Sequence, residues 1–360
     1  MKLNEVTKRI PFWYQASVES GEPFCVYLKS SPGLGKTSVL VDAASQLSEK
    51  LNKNIGLVVI NGPLLNPPDS IGYLMPREVN GYLESKFSDP FWFRTREGKR
   101  LEEYDGGIVV VDEADKMDTD VKKIIGEAAL SGRLGPHQLP KGWVVWMAGN
   151  RSEDRSGSTK ELDHLINRRL EIDISPDLDA WTEWACRNGV SPLGIAFANQ
   201  HPEVVFESKV PDKQGPWCTP RSFVRTDKYL QVLDVKDLSD PSVHEEVQGM
   251  IGGPATAALA SFMQLQLEMP PFEDIVRDPK GIPIPAKPDG QMLVTYNLAH
   301  RTTSENIAPV MEYMERMPKE FAVTFIKSLC ARDYKLIFTP TVQKWAQKNS
   351  SLMVAVNLLK

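Results

Sequence analysis

The chain has 360 residues, too many for one small core, so two or three domains are expected. Hydrophobic residues make up 41% and charged residues 25%, an ordinary balance for a water-soluble globular protein, and the net charge of -5 gives no general pull toward nucleic acid. No apolar run reaches membrane-spanning length, and the N-terminus lacks the apolar core of a signal peptide, so a cytoplasmic protein without membrane attachment is expected.

Cys25, Cys186, Cys218 and Cys330 are scattered without C-x-x-C spacing and read as reduced core thiols. The five histidines are dispersed and suggest no metal cluster.

In chain order, the first informative stretch is "FCVYLKS" (24–30), a short β-prone run. It is followed by "SPGLGKTS" (31–38) and then by a helical pattern over 36–51, with Val39, Leu40, Ala43, Ala44 and Leu47 on one face. Strand, tight loop and helix is the arrangement that phosphate binding requires, because loop and helix N–H groups must converge on the anion. The loop departs from G-x-x-x-x-G-K-[ST] only at its first position, where Ser30 replaces glycine. A small residue able to turn suffices there, while Gly33 and Gly35 remain where backbone must approach phosphate. Ser31, Pro32, Gly33, Leu34, Gly35, Lys36, Thr37 and Ser38 are therefore the expected nucleotide-binding residues. Lys36 would reach the β and γ oxygens, and the Thr37 hydroxyl would reach Mg²⁺.

A second strand, "IGLVVIN" (55–61), is continuously apolar, as a parallel strand covered on both faces should be. Asn80-Gly81 in "PREVNGYLESKF" (76–87) predicts a hairpin. The aromatic run "FWF" (91–93) is expected to pack beneath it. The third strand of this series, "GGIVVVDEAD" (106–115), ends in Asp112 and Glu113, a Walker B arrangement. There Asp112 would hold Mg²⁺, and Glu113 would polarise the attacking water. "LSGRLGPHQLPKG" (130–142) is a second Gly/Pro-punctuated insertion. "GWVVWMAGN" (142–150) is the fourth strand, ending in Asn150, which can hold the attacking water. Strands alternating with helices and ending in polar residues predict an open α/β sheet with its site at the carboxyl edge.

"SSPGLGKT", "IVVVDEAD", "WMAGN", "LINRRL" and "TPRSF", in this order, resemble an AAA+ ATPase, with particular similarity to the MoxR-like group that carries a helix-2 insert. The resemblance covers about residues 5 to 270. It implies an α/β P-loop NTPase core with a parallel sheet over 1–176, a helical lid over 177–270, and a Pro-rich linker with a helical tail over 271–360. It implies that Asn150 is sensor 1 and that Arg221 is sensor 2. It also implies that Arg168 is the arginine finger serving a neighbouring subunit, although the adjacent Arg169 stands where the family usually has an aromatic or apolar residue. Asn61 matches, more loosely, a polar residue that restrains the Walker B glutamate. The 76–87 hairpin matches the helix-2 insert and 130–142 the pre-sensor-1 hairpin.

Within the lid, "DLDAWTEWACRNG" (177–189) predicts a helix with Trp181, Trp184 and Ala185 on one face. The function expected from the resemblance is a Mg²⁺-dependent, ATP-hydrolysing ring, most often a hexamer of identical subunits, that remodels a protein partner. A von Willebrand A-domain adaptor is the partner such ATPases often use. The alternative is a nucleic-acid motor or loader, as in translocases or the GTP-using McrB restriction motor. The acidic balance and the lack of a DNA-binding motif weigh against it. An inactive nucleotide-gated scaffold is a third reading, opposed by the intact Lys36, Asp112 and Glu113.

Overall fold

The computed structural model describes residues 1–21, 25–151, 163–206, 214–265 and 269–349. The chain divides into two compact units, Met1–Pro176 and Asp177–Lys360.

The first unit contains, in order, α1 (Leu3–Glu19), β1 (Cys25–Ser30), α2 (Lys36–Leu51), β2 (Ile55–Asn61), α3 (Pro67–Ile71), β3 (Leu74–Val79) and β4 (Tyr82–Phe87). It continues with β5 (Gly106–Asp112), α4 (Thr119–Ser131), β6 (Arg133–Leu134), β7 (His137–Gln138), β8 (Trp143–Asn150), α5 (Asp163–Ile166) and β9 (Arg169–Asp173). Five strands form one parallel sheet in the order β2-β5-β8-β1-β9. Apolar side chains cover both faces. Val26, Leu28, Ile108, Val110, Val144 and Trp146 pack with α1 and α2, while Tyr27, Val58, Val109, Val111, Val145 and Met147 pack with α4. Burial on both faces explains why these strands read as unbroken aliphatic runs.

The chain leaving β1 crosses toward β2, whereas the chain leaving β8 crosses the other way toward β9. The switch between these neighbours opens a crevice at their carboxyl ends, where α/β sheets bind ligands. Register sets the rim of that crevice, because Ser30 lies beside Asn150 and Asn61 beside Asp112.

The expected α/β fold with a parallel sheet and a helical region after it is what the chain forms. One strand was not foreseen. β9 borders the sheet, and its alternation of Arg169, Leu170, Glu171, Ile172 and Asp173 is the period-2 signal that marks it. The two insertions are hairpins, β3–β4 and β6–β7. Asn80 and Gly81 both have positive φ, 52° and 80°, as a two-residue I′ turn demands. Trp92 and Phe93 are buried, while Phe91 is exposed.

The second unit is helical. It contains α6 (Leu178–Arg187), α7 (Pro192–Gln200), α8 (Pro202–Val205), α9 (Pro220–Val232), α10 (Pro241–Ile251) and α11 (Gly253–Gln264). After these come α12 (Phe272–Arg277), α13 (Pro288–Arg301), α14 (Ile307–Met314), α15 (Lys319–Arg332) and α16 (Pro340–Lys348). The lid and tail, expected as two regions meeting at 270, belong to one unit here, with α13 packing on α7 and α15 on α6.

The stretch 277–290 is not a free linker. Ile282 and Ile284 pack against the tail core, Tyr313 Oη donates to Pro283 O, and Arg316 donates to Pro279 O and Ile282 O. Proline removed the periodicity that would have signalled this packing. Trp184 also departs from expectation, being 44% exposed while the adjacent Ala185 is fully buried.

Candidate functional site

The loop after β1 carries Gly33 and Gly35 in left-handed conformations, φ 83° and 86°, which a side-chain-bearing residue adopts only under strain. This turn delivers Lys36 to the first position of α2, at the positive end of the helix dipole. Ser31, Pro32, Gly33, Leu34 and Gly35 are half-buried, and Ser38 is exposed one position beyond Thr37.

The Lys36 side chain is buried, and its ammonium donates to Ser30 O (3.1 Å), Ser30 Oγ (2.9 Å), Ser31 O (3.1 Å) and Asn150 Oδ1 (3.0 Å). Ser30 therefore does more than tolerate the turn. Its hydroxyl, fully buried, adds an oxygen to the lysine's resting cradle and itself donates to Ser31 O at 2.7 Å.

Thr37 Oγ1 donates to Asp112 Oδ1 at 2.7 Å, and the Glu113 N–H donates to the same carboxylate oxygen at 2.9 Å. Among the described residues no group of three His, Cys, Asp or Glu side chains is placed to hold a metal alone. A hydroxyl meeting one carboxylate is nevertheless the donor set Mg²⁺ takes when substrate phosphates and water complete its octahedron. Thr37 and Asp112 thus fit Mg²⁺.

Glu113 lies in the left-handed region, φ 52°. A glutamate there pays about 1–2 kcal/mol in backbone strain, and such strain clusters at functional positions. Its carboxylate pairs with Lys116 Nζ at 3.2 Å. Asn61 is exposed beside Asp112 in the sheet register.

The two arginines of "LINRRL" have different surroundings. Arg169 has a side chain only 4% exposed, pairs with Glu171 and lies 4.4 Å over the Tyr27 ring. Arg168 is exposed at the turn between α5 and β9. Arg221 is exposed in the first turn of α9, directly after Pro220, with Thr219 capping the helix.

Two residues at this edge went unnoticed in the sequence. Asp115, three positions after Asp112 and 2% exposed, accepts the Asn150 N–H at 3.0 Å and so ties the turn after β5 to the end of β8. Arg151, directly after Asn150, donates from Nη2 to Ser31 Oγ at 2.5 Å. The only signal in the sequence was adjacency to a residue already singled out.

No family model matches the chain, and no curated protein matches it. Similar solved structures include the Thermotoga maritima RuvB P216G mutant, 15% identical, covering 77% of this chain and 76% of that one with a TM-score of 0.38. NtrX from Brucella abortus, in complex with ADP, is 14% identical over 91% of this chain and 68% of that one, with a TM-score of 0.39. A chain of the E. coli MS115-1 HORMA:CdnC:Trip13 complex is 13% identical over 75% and 89% respectively, with a TM-score of 0.39. These are likenesses of backbone course, and the reading of the site rests on this chain's own geometry.

Proposed function

We propose that the protein is a Mg²⁺-dependent ATPase of the AAA+ type, MoxR-like, working as a ring of identical subunits, six in the expected form, that remodels a protein partner. One observation carries the ATPase reading. The ends of β1, β5 and β8 bring the phosphate loop, the Asp112–Glu113 pair and Asn150 together, and Lys36 touches both the loop and Asn150.

A polyphosphate would offer the Lys36 ammonium charged oxygens, stronger partners than the four neutral ones it touches here. The loop and helix N–H groups would hold the β-phosphate. Mg²⁺, when bound through Thr37 and Asp112, would neutralise phosphate charge. Glu113, once separated from Lys116, would orient and deprotonate the attacking water. Exposed Arg168 suits a finger reaching a neighbouring subunit better than Arg169, which is engaged at the sheet edge.

The β3–β4 hairpin supports a protein partner. It exposes Leu74, Met75, Tyr82 and Leu83, and its charges cancel, with Arg77 and Lys86 against Glu78 and Glu84. A nucleic-acid surface would instead concentrate lysine and arginine. An A-domain protein is the adaptor we would test first.

Phosphate release from ATP with and without Mg²⁺ tests the core of this reading. Wild-type protein should turn over ATP only with the metal, and Lys36→Ala should neither bind nor hydrolyse it. Glu113→Gln should bind ATP and lose about 10²–10⁴-fold in turnover. A wild-type chain that neither binds nor hydrolyses ATP would overturn the proposal.

A further inference from the structure

The ladder between β5 and β8 ends at Val111 and Met147, whereas β8 runs on beside β1 as far as Ser30 and Asn150. Ala148, Gly149 and Asn150 therefore extend past the last pair with β5. There a side chain carries the connection onward, because Asp115 Oδ1 accepts the Asn150 N–H at 3.0 Å. Gly149 leaves room for this approach, since a Cβ on it would lie 2.9 Å from Asp115 Oδ1. Asp115 is 2% exposed, so water scarcely competes for the bond. The turn that carries Asp115 starts at Glu113 and is itself braced. Lys116 N donates to Glu113 O at 2.9 Å, and buried Lys122 reaches from α4 to donate from Nζ to Asp115 O at 3.2 Å. The Asp115 carboxylate thus runs from the segment of the proposed base to the backbone of the proposed water-holding residue.

We propose that Asp115 is a positioning residue for hydrolysis, fixing Asn150 relative to Glu113 so that one water can meet both. The inference rests on the ATPase reading above. A water that is deprotonated by one group and held by another needs both within hydrogen-bond reach at once. A misplacement of about 1 Å can cost about 10²-fold in rate. Asn150 is the last residue of β8, and the ends of elements are where pairing opens first. Its side-chain amide meets Lys36 Nζ at 3.0 Å in this state. The bond from its N–H to Asp115 holds the Asn150 backbone whichever partner that amide meets. Phosphate binding belongs to the loop after β1 and the start of α2, so losing Asp115 should fall on turnover and not on affinity.

The test measures Mg²⁺-dependent phosphate release from ATP, and affinity for a non-hydrolysable ATP analogue by calorimetry. The variants are Asp115→Ala, Asp115→Leu, Asp115→Asn, Asn150→Ala and the double variant D115A/N150A. A wild type that neither binds nor hydrolyses would overturn the ATPase reading, and this inference with it. Given wild-type turnover, Asp115→Ala and Asp115→Leu should lose about 10- to 100-fold in kcat while analogue affinity stays within about threefold. Asp115→Asn keeps an acceptor oxygen and should stay within about fivefold of wild-type kcat. The double variant should be no more than about threefold slower than Asn150→Ala alone, because residues acting as a unit are non-additive. Unchanged turnover in Asp115→Ala and Asp115→Leu would overturn the proposal. Loss of analogue binding together with turnover would overturn it too, since Asp115 would then support the site as a whole. So would an Asp115→Asn variant as slow as Asp115→Leu, or full multiplication of the two losses in the double variant.

Discussion

Lys116 controls how strongly Glu113 is held at rest. The pair spans three residues on a short turn, with 30% and 40% of the two side chains exposed, so solvent weakens it. Such partly exposed pairs are worth about 0–1 kcal/mol, and releasing the glutamate can therefore change turnover by no more than about fivefold. Lys116→Ala should show steady-state ATP hydrolysis within that window, in contrast to Glu113→Gln. A loss of more than tenfold would mean that Lys116 itself touches the reacting groups. The strands announced Asp112, Glu113 and Asn150 because buried aliphatic runs end where water begins. Nothing in the local pattern announced Asp115, whose role depends on β8 arriving beside β5 after about 30 intervening residues.

Among the elements, the β3–β4 hairpin separates stability from partner contact. Its strands pair with each other up to the turn, and Tyr82 and Leu83 are 75% and 78% exposed. Tyr82→Ser and Leu83→Ser should stay within about 0.5 kcal/mol of wild-type stability in a chemical melt, as exposed substitutions do. The base of the hairpin is the opposite case. Gly72 has φ 89°, and a Cβ there would sit 1.9 Å from Ser88 O. Ser88 N also donates to Tyr73 O, which closes the base. Gly72→Ala should therefore destabilise the protein by about 1–3 kcal/mol, the usual cost of a glycine-only backbone conformation, unless the hairpin base shifts. A neutral effect would show that the base yields easily.

Two predictions concern the whole molecule. In the second unit α13 packs on α7 and α15 on α6, with Arg187 Nε also donating to Ala331 O. Ending the chain after residue 270 would expose the faces of α6 and α7 that α15 and α13 cover. The truncated protein should bind hydrophobic dyes and self-associate in size exclusion, and a well-behaved truncation would make the tail dispensable for lid folding. Subunit mixing tests the ring. Arg168→Ala and Lys36→Ala should each fail to hydrolyse ATP alone, since an arginine finger contributes about 10³–10⁵-fold. Mixed, they should recover part of the activity where an intact loop meets an intact Arg168. Recovery would place the two residues in different subunits, and its absence in proven mixed oligomers would argue for Arg168 acting at home or for a ring that needs every site.

The sequence by itself determined the α/β core, because its strands, covered on both faces, had to be unbroken aliphatic runs. It also determined the loop, since only Gly33 and Gly35 allow the turn that brings Lys36 to a helix start. Asn80-Gly81 determined the hairpin for the same local reason. The tertiary structure decided what local pattern cannot carry. It pressed Arg169 onto Tyr27 and Glu171 at an edge strand, joined 277–290 to the tail core, and set Asp115 under Asn150. It gave the Ser30 hydroxyl to Lys36 and brought Arg151 to Ser31. Ser30 with Lys36 and Arg169 with Glu171 are near in sequence, but the other pairings link segments that meet only through strand register or packing, so no short window along the chain contains both partners. Their energies come from burial and geometry, which exist only once the sheet and the helices have closed on each other.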